Sequence, residues 1–282
     1  MASSILFLGS GGARFVVARQ LRASGGMWFR FGSTQIHVDP GPGALVRALS
    51  HVPPCNPREL DAIVLSHKHL DHSGDVNAMI EAMTSGGFRR RGALLAPADA
   101  FDDEHVVLPY ALRFVERVER LTASSGPYPV GGVEIFTSVQ HAHAVQTYGL
   151  HFVYDGLRVA YLPCGRYFEA LAADYAAHRP DVLVVNVLRF ADQIDADHFT
   201  WQDARRVVAE VRPKVAVFAH FGTKMLEADP PRLAQELEDE LGLRVIAAYD
   251  DYTLDIDTQV AAALEVSNAM TSSVRRTRSA NR

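Results

Sequence analysis

Three histidines and an aspartate crowd into one short stretch, Ser66-His67-Lys68-His69-Leu70-Asp71-His72-Ser73-Gly74-Asp75. Neutral imidazole and carboxylate are ligands for zinc, iron or manganese, and a catalytic metal keeps one position open for water. The apolar run Ala62-Ile63-Val64-Leu65 comes directly before, so a buried strand should end by delivering several ligands to one point. His67 and His69 are two apart, point the same way on extended backbone and can share one metal. Asp71 and His72 come after the chain has turned and can face a second metal beside it. The bland alternative is a solvated histidine-rich loop; the strand end and further histidines downstream argue against it.

His67-x-His69-x-Asp71-His72 resembles the H-x-H-x-D-H signature of the metallo-β-lactamase fold superfamily, and later segments resemble its ribonuclease Z-like phosphodiesterase branch. The resemblance implies that His67 and His69 bind one metal and Asp71 and His72 a second, with Asp71 at the catalytic centre. It also implies two divalent ions, zinc first, with manganese or iron as alternatives. Either His141 or His143 can complete the first metal. The segment His143-x-x-x-x-Tyr148-Gly149 resembles the ribonuclease Z segment that carries a ligand histidine, which favours His143 and leaves His141 in support.

The strand predicted over residues 157–162 ends in Pro163-Cys164-Gly165, where superfamily members usually place an aspartate that bridges the metals. A thiolate can bind or bridge zinc and, being softer, favours it over manganese. Otherwise Cys164 is a small buried filler and the second metal is weak or absent. His220, at the end of the apolar run Val215 to Ala219, resembles the last ligand of metal 2. His198-Phe199-Thr200, with Ala204 after it, loosely resembles the G-H-S-T-x-x-E-A segment whose histidine assists phosphodiester cleavage; the glycine and serine are missing. Asp39, in Asp39-Pro40-Gly41-Pro42-Gly43, resembles the aspartate that precedes the signature. It is expected to orient ligand histidines by hydrogen bonding, or else to cap the helix near residues 44–49.

The elements that must position these residues alternate. Strands are expected over residues 4–8, 27–31, 35–38, 93–96, 133–137, 157–162, 181–187, 215–219, 245–248 and 252–255. Helices are expected over residues 75–83, over 109–121 with Leu112, Val115, Val118 and Leu121 on one face, and from Thr200, whose capping box pairs it with Asp203. Another opens at Asp229-Pro230-Pro231 and runs to Leu241. Gly9-Ser10-Gly11-Gly12 reads as a tight turn near the site, since its spacing is not a dinucleotide fingerprint. Arg89-Arg90-Arg91 reads first as a solvated loop, with contact to a phosphate-bearing substrate as the alternative, Lys224 as an anion contact or a solvated charge, and His151 as structural. With the resemblance, this pattern implies an αβ/βα sandwich of two mixed sheets flanked by helices. One domain is expected over residues 1–258, and residues 259–282 as a frayed helix and flexible basic tail.

The 282 residues carry 48% hydrophobic and 22% charged side chains, a globular composition. A net charge of −5 gives no global pull toward nucleic acid. Cys55 and Cys164 are the two cysteines, so a disulfide framework is not expected and a reducing, cytoplasmic location is. No apolar run approaches a membrane span. The leading expectation is a dinuclear metal hydrolase of a small anionic phosphodiester. Carboxyl-ester, lactone or thioester hydrolysis on the same fold is the second, and a single-metal or silent ligand-binding member, because of Cys164, the third. Residues 143 to 163 hold no long arm of the kind that clamps transfer RNA, so nucleic acid is the less favoured partner. The resemblance to ribonuclease Z points to a homodimer by analogy alone.

Overall fold

The computed structural model describes residues 2–102, 104–191 and 197–265. Its strands form two seven-stranded sheets. The first has the order β14 (Tyr252–Asp255), β1 (Ser3–Phe7), β2 (Met27–Phe31), β3 (Thr34–Val38), β4 (Ala62–Val64), β5 (Ala93–Pro97), β6 (Arg117–Leu121). The second has the order β13 (Arg244–Ala247), β12 (Val215–Ala219), β11 (Val182–Asn186), β10 (Leu157–Leu162), β9 (Tyr148–Tyr154), β8 (Val133–Gln140), β7 (Tyr128–Val130). Each sheet is antiparallel on one side and parallel on the other, so both are mixed.

Period-two alternation explains the layering, because both faces of the central strands are apolar. Ile5, Phe29, Val38 and Val64 of the first sheet meet Leu150, Phe152, Val159 and Val184 of the second in one inner core. Phe29 and Phe152 stack across it with ring centroids 4.8 Å apart. On the outside of the first sheet, Ile63, Leu65 and Leu94 pack on Val76, Met79, Ile80 and Met83 of α4 (Val76–Met83). On the outside of the second, Leu183, Val185 and Phe218 pack on α5 (Glu169–His178), α6 (Trp201–Val211) and α8 (Pro230–Leu241). The expected two-sheet sandwich with flanking helices is therefore the observed fold. The Thr200 and Asp203 capping box is also formed.

One expectation needs correction. No helix spans residues 109–121: a single 3-10 turn, Ala111–Arg113, leads into β6, whose five residues pair in parallel with β5. The free edge of β5 offers a ladder of backbone partners, and this outweighs the helical spacing of four apolar residues. At the other end a helix covers residues 256–265, and Val260 packs on the inner core. Residues 266–282, which carry the expected basic tail, lie outside the described residues. Among the described residues no helix is long and apolar enough to cross a membrane.

Candidate metal centre

The C-terminal ends of strands from both sheets meet at one rim. His67 and His69 follow β4 directly, and Asp71 and His72 sit in the short helix Leu70–Ser73. His143 follows β8, Cys164 follows β10 and His220 follows β12. The Tyr148 N–H donates to the Ser66 carbonyl at 3.1 Å, and Gly12 pairs with Phe221, so backbone hydrogen bonds tie the two sheets together beside the cluster.

One donor atom from each of His67, His69 and His143 lies within 4.8 Å of the other two, and the same holds for Asp71, His72 and His220. His67, His72 and Cys164 form an overlapping third group. The Cys164 Sγ lies 3.3 Å from His220 Nε2 and 3.6 Å from His72 Nε2, between the two triads. His143 rather than His141 joins the first triad. Both nitrogens of the buried His141 are already engaged, Nδ1 with the Cys164 carbonyl at 3.0 Å and Nε2 with the Tyr175 hydroxyl at 3.3 Å. His198 stands at the rim, its ring edge-on to His143 at 5.1 Å.

Asp39 holds the first half together. Its Oδ1 accepts from the Ser66 N–H at 2.7 Å, and its Oδ2 accepts from the Ser66 hydroxyl at 2.6 Å and the Tyr161 hydroxyl at 2.9 Å. His72 Nδ1 lies 2.9 Å from the same Oδ2. The capping alternative fails, since Gly43 occupies the N-cap of the following helix. Ser66 donates its hydroxyl proton to Asp39, so it can only accept from His67 Nδ1, 3.0 Å away. That leaves His67 Nε2 with a bare lone pair, fully buried and without a hydrogen-bond partner. An orphaned buried acceptor costs about 1–3 kcal/mol, and a cation at that point removes the cost. The residues present thus fit divalent ions: His72 and His143 are anchored through Nδ1, on Asp39 and on the Asp197 carbonyl, and turn Nε2 to the cluster.

The electrostatics agree. Burial, reinforced by the neighbouring imidazoles, holds His67 well below the usual histidine range. Burial also lowers His220, with His72 adding to it. His143 and His198 are pushed down to about 4, chiefly by burial. For Asp71 burial works upward, yet the imidazoles of His72 and His220 and the N–H of Ala13 hold its carboxyl below the usual range. His72 moves the other way: burial lowers it, but Asp71, Cys164 and Asp39 raise it further. Burial pushes the Cys164 thiol up, and His72 pulls against that shift.

Two backbone features deliver the second half. His220 has φ 60°, in the left-handed region that a β-carbon resists. Gly12 lies against its ring, where an added Cβ would come within 2.4 Å of the imidazole. Residues 9–12 run as irregular chain rather than as the expected tight turn, and the glycine at 12 is what permits this approach. Tyr161 and Asn186 were not singled out from the sequence. Asn186 ends an apolar run and donates to the Tyr161 hydroxyl at 3.0 Å, with Cys164 Sγ at 3.7 Å. A lone polar residue closing an otherwise apolar strand was the available signal. The arginine run does not reach the site: Arg90 donates to the Val115 carbonyl and Arg91 to the Leu60 and Arg58 carbonyls.

A family described as the beta-lactamase superfamily domain matches residues 34–221. An uncharacterised protein of Methanocaldococcus jannaschii is 28% identical over 259 residues, covering 88% of this chain and 93% of its own. The crystal structure of the metallo-beta-lactamase fold protein YhfI from Bacillus subtilis superposes with a TM-score of 0.72 at 20% identity, over 90% of this chain and 99% of that one. Human tRNase Z, short form, superposes with a TM-score of 0.67 at 15% identity, over 90% of this chain and 99% of that one.

Proposed function

Because the chain belongs to the beta-lactamase superfamily, we propose that it is a dinuclear metal-dependent hydrolase acting on a small phosphodiester. The observation that carries this reading is the pair of adjacent donor triads, with His67 Nε2 buried and unpartnered between them. His67, His69 and His143 would hold one ion, Asp71, His72 and His220 the other, with Cys164 between. Divalent ions in these positions supply Lewis acidity to a water nucleophile and neutralise charge on the transferred group. The thiolate makes zinc the favoured metal.

The chain's own residues do the rest. Asp71 is fixed by the Ala13 N–H, which donates to Oδ2 at 2.9 Å, and its carboxylate orients the attacking water. His198, neutral near pH 7, donates a ring N–H to a phosphoryl or leaving oxygen. Beside the centre lies a cavity of about 510 Å³ whose wall includes Gly12, Phe15, Leu188, Arg189, Phe190 and Lys224. Its wall is mainly apolar and suits an ester carrying an apolar or aromatic group; Arg189 and Lys224 stand at its edge, Lys224 paired with Glu227 at 2.7 Å. The likeness in fold to human tRNase Z, short form, is in keeping with phosphoryl chemistry by analogy alone.

The test is metal content per chain together with turnover of bis(p-nitrophenyl) phosphate and p-nitrophenyl acetate. At least two ions and phosphodiester turnover that falls roughly 100-fold in His198→Ala support the proposal. Ester cleavage alone, indifferent to His198, moves the assignment to carboxyl-ester hydrolysis. With neither substrate cleaved, the ligand-binding alternative takes over.

A further inference from the structure

A second group of donors lies on the outer face of the second sheet, behind the buried Tyr175 ring. His151 of β9 points away from the inner core, beneath Asp174 and His178 of α5. Its ring is 4.8 Å from that of Tyr175, whose hydroxyl meets His141 on the side of the metal centre. His151 is 3% exposed, yet neither ring nitrogen has a hydrogen-bond partner, and Asp174 Oδ2 has none either. The two face each other at 3.5 Å, beyond the usual 2.7–3.2 Å of an N–H to oxygen bond. That leaves Nε2 and Oδ2 with a loose ion pair and His151 Nδ1 with no partner, and a buried polar group left unpaired costs about 1–3 kcal/mol. A purely structural role for His151 leaves that cost unexplained.

We propose that His151, Asp174 and His178 form a separate site for a zinc-class divalent cation. One donor atom from each lies within 4.8 Å of the other two. Asp174 and His178 are four apart on one helix and so share a face. His178 Nδ1 donates to the Asp174 carbonyl at 2.9 Å, which fixes the tautomer and leaves Nε2 as the lone-pair nitrogen, the arrangement second-sphere bonds impose on metal-ligating histidines. The His151 and His178 rings lie face to face at 3.8 Å and 9°, so their in-plane lone pairs run parallel, and the His178 ring has to turn off the stack for both to reach one ion. Tetrahedral zinc with 2.0–2.1 Å bonds spaces its donors about 3.4 Å apart, which the His151 and Asp174 pair already meets. Only the partly exposed His178 has to move.

Two imidazoles and one carboxylate make up a zinc donor set with a fourth position free for water. A cavity of about 280 Å³, lined by Phe136, His151, Arg158, Ala177, His178 and Pro180, gives the ion a way in. Arg158 donates to the His178 carbonyl at 3.2 Å; its charge opposes a cation there, and the Asp174 carboxylate offsets it. This site shares no ligand with the centre described above and does not depend on the hydrolase assignment.

The experiment is equilibrium dialysis of the full chain against micromolar zinc, with metal content read per chain for wild type, His178→Ala and Asp174→Asn. Each variant should lose about one equivalent relative to wild type and keep its hydrolase turnover. Excess zinc should raise the thermal midpoint of wild type by more than that of His178→Ala, which keeps only the stabilisation from the main centre. Equal zinc content in all three folded proteins overturns the proposal, as does an equal zinc-dependent shift in wild type and His178→Ala.

Discussion

The two halves of the candidate metal centre are built by different means. In the first half the donors are consecutive, and a side-chain network holds them: Asp39 accepts from Ser66 and Tyr161 and engages His72, and Ser66 in turn fixes His67. In the second half each donor stands alone at the end of its own strand, and the backbone places it. His143 is aimed by the Asp197 carbonyl, and His220 by its left-handed φ and the close approach of Gly12. A cluster can therefore be rigid on one side through charge and hydrogen bonds, and on the other through chain geometry. The two kinds of support should fail differently.

The sharpest way to break the contrast is Asp39→Ala. It leaves several buried donors without an acceptor, and the expected loss is about 3–5 kcal/mol in urea unfolding, with metal affinity falling as well. Asp39→Asn keeps the shape and should cost metal affinity roughly 10–100-fold. If both variants match wild type in both readings, the side-chain network is not what holds the first half.

Acid should strike both halves alike. His37 on β3 and His141 beside Cys164 are each buried and pushed down to about 4, mainly by burial, with a backbone carbonyl bond pulling the other way. Their ordinary value is 6.5, so the unfolded chain takes up the protons first. The stability is fully present above pH 6.5 and is lost as pH falls toward 4. Each contributes roughly 3 kcal/mol over that window. Urea midpoints in this range should fall less steeply in His37→Phe; an unchanged slope would remove His37 from the account.

Gly12→Ala tests the backbone side. Its new methyl meets the His220 ring, so about 1–3 kcal/mol of stability should go, together with part of the second metal's occupancy. Occupancy of the His67, His69 and His143 triad should hold, and equal loss from both positions would blur the contrast. The smallest effect is expected from Cys164→Ser, about tenfold in zinc affinity, read by competition with a chelator.

The same difference decides what could be read in advance. The run from His67 to His72 was legible because its donors are neighbours in sequence and follow an apolar strand, and His220 was legible for the second reason alone. His141 against His143 was not decidable from spacing. What separates them is that Tyr175 and the Cys164 carbonyl capture His141, and both partners lie far along the chain. The segment 109–121 misled because helical spacing is a local signal, whereas the pairing of β6 with β5 is not. The support given by Tyr161 was hidden too, as one hydroxyl within an apolar strand.

The reach of Asp39 along the chain bears on how the molecule folds. Its carboxylate joins Ser66, 27 residues away, to Tyr161, 122 residues away. The entropy of closing so long a loop must be met before that contact returns anything. The knot at Asp39 should therefore tighten after the rate-limiting step. Conservative changes there should speed unfolding and leave the folding rate almost untouched, so that the carboxylate acts as a latch on a molecule already assembled.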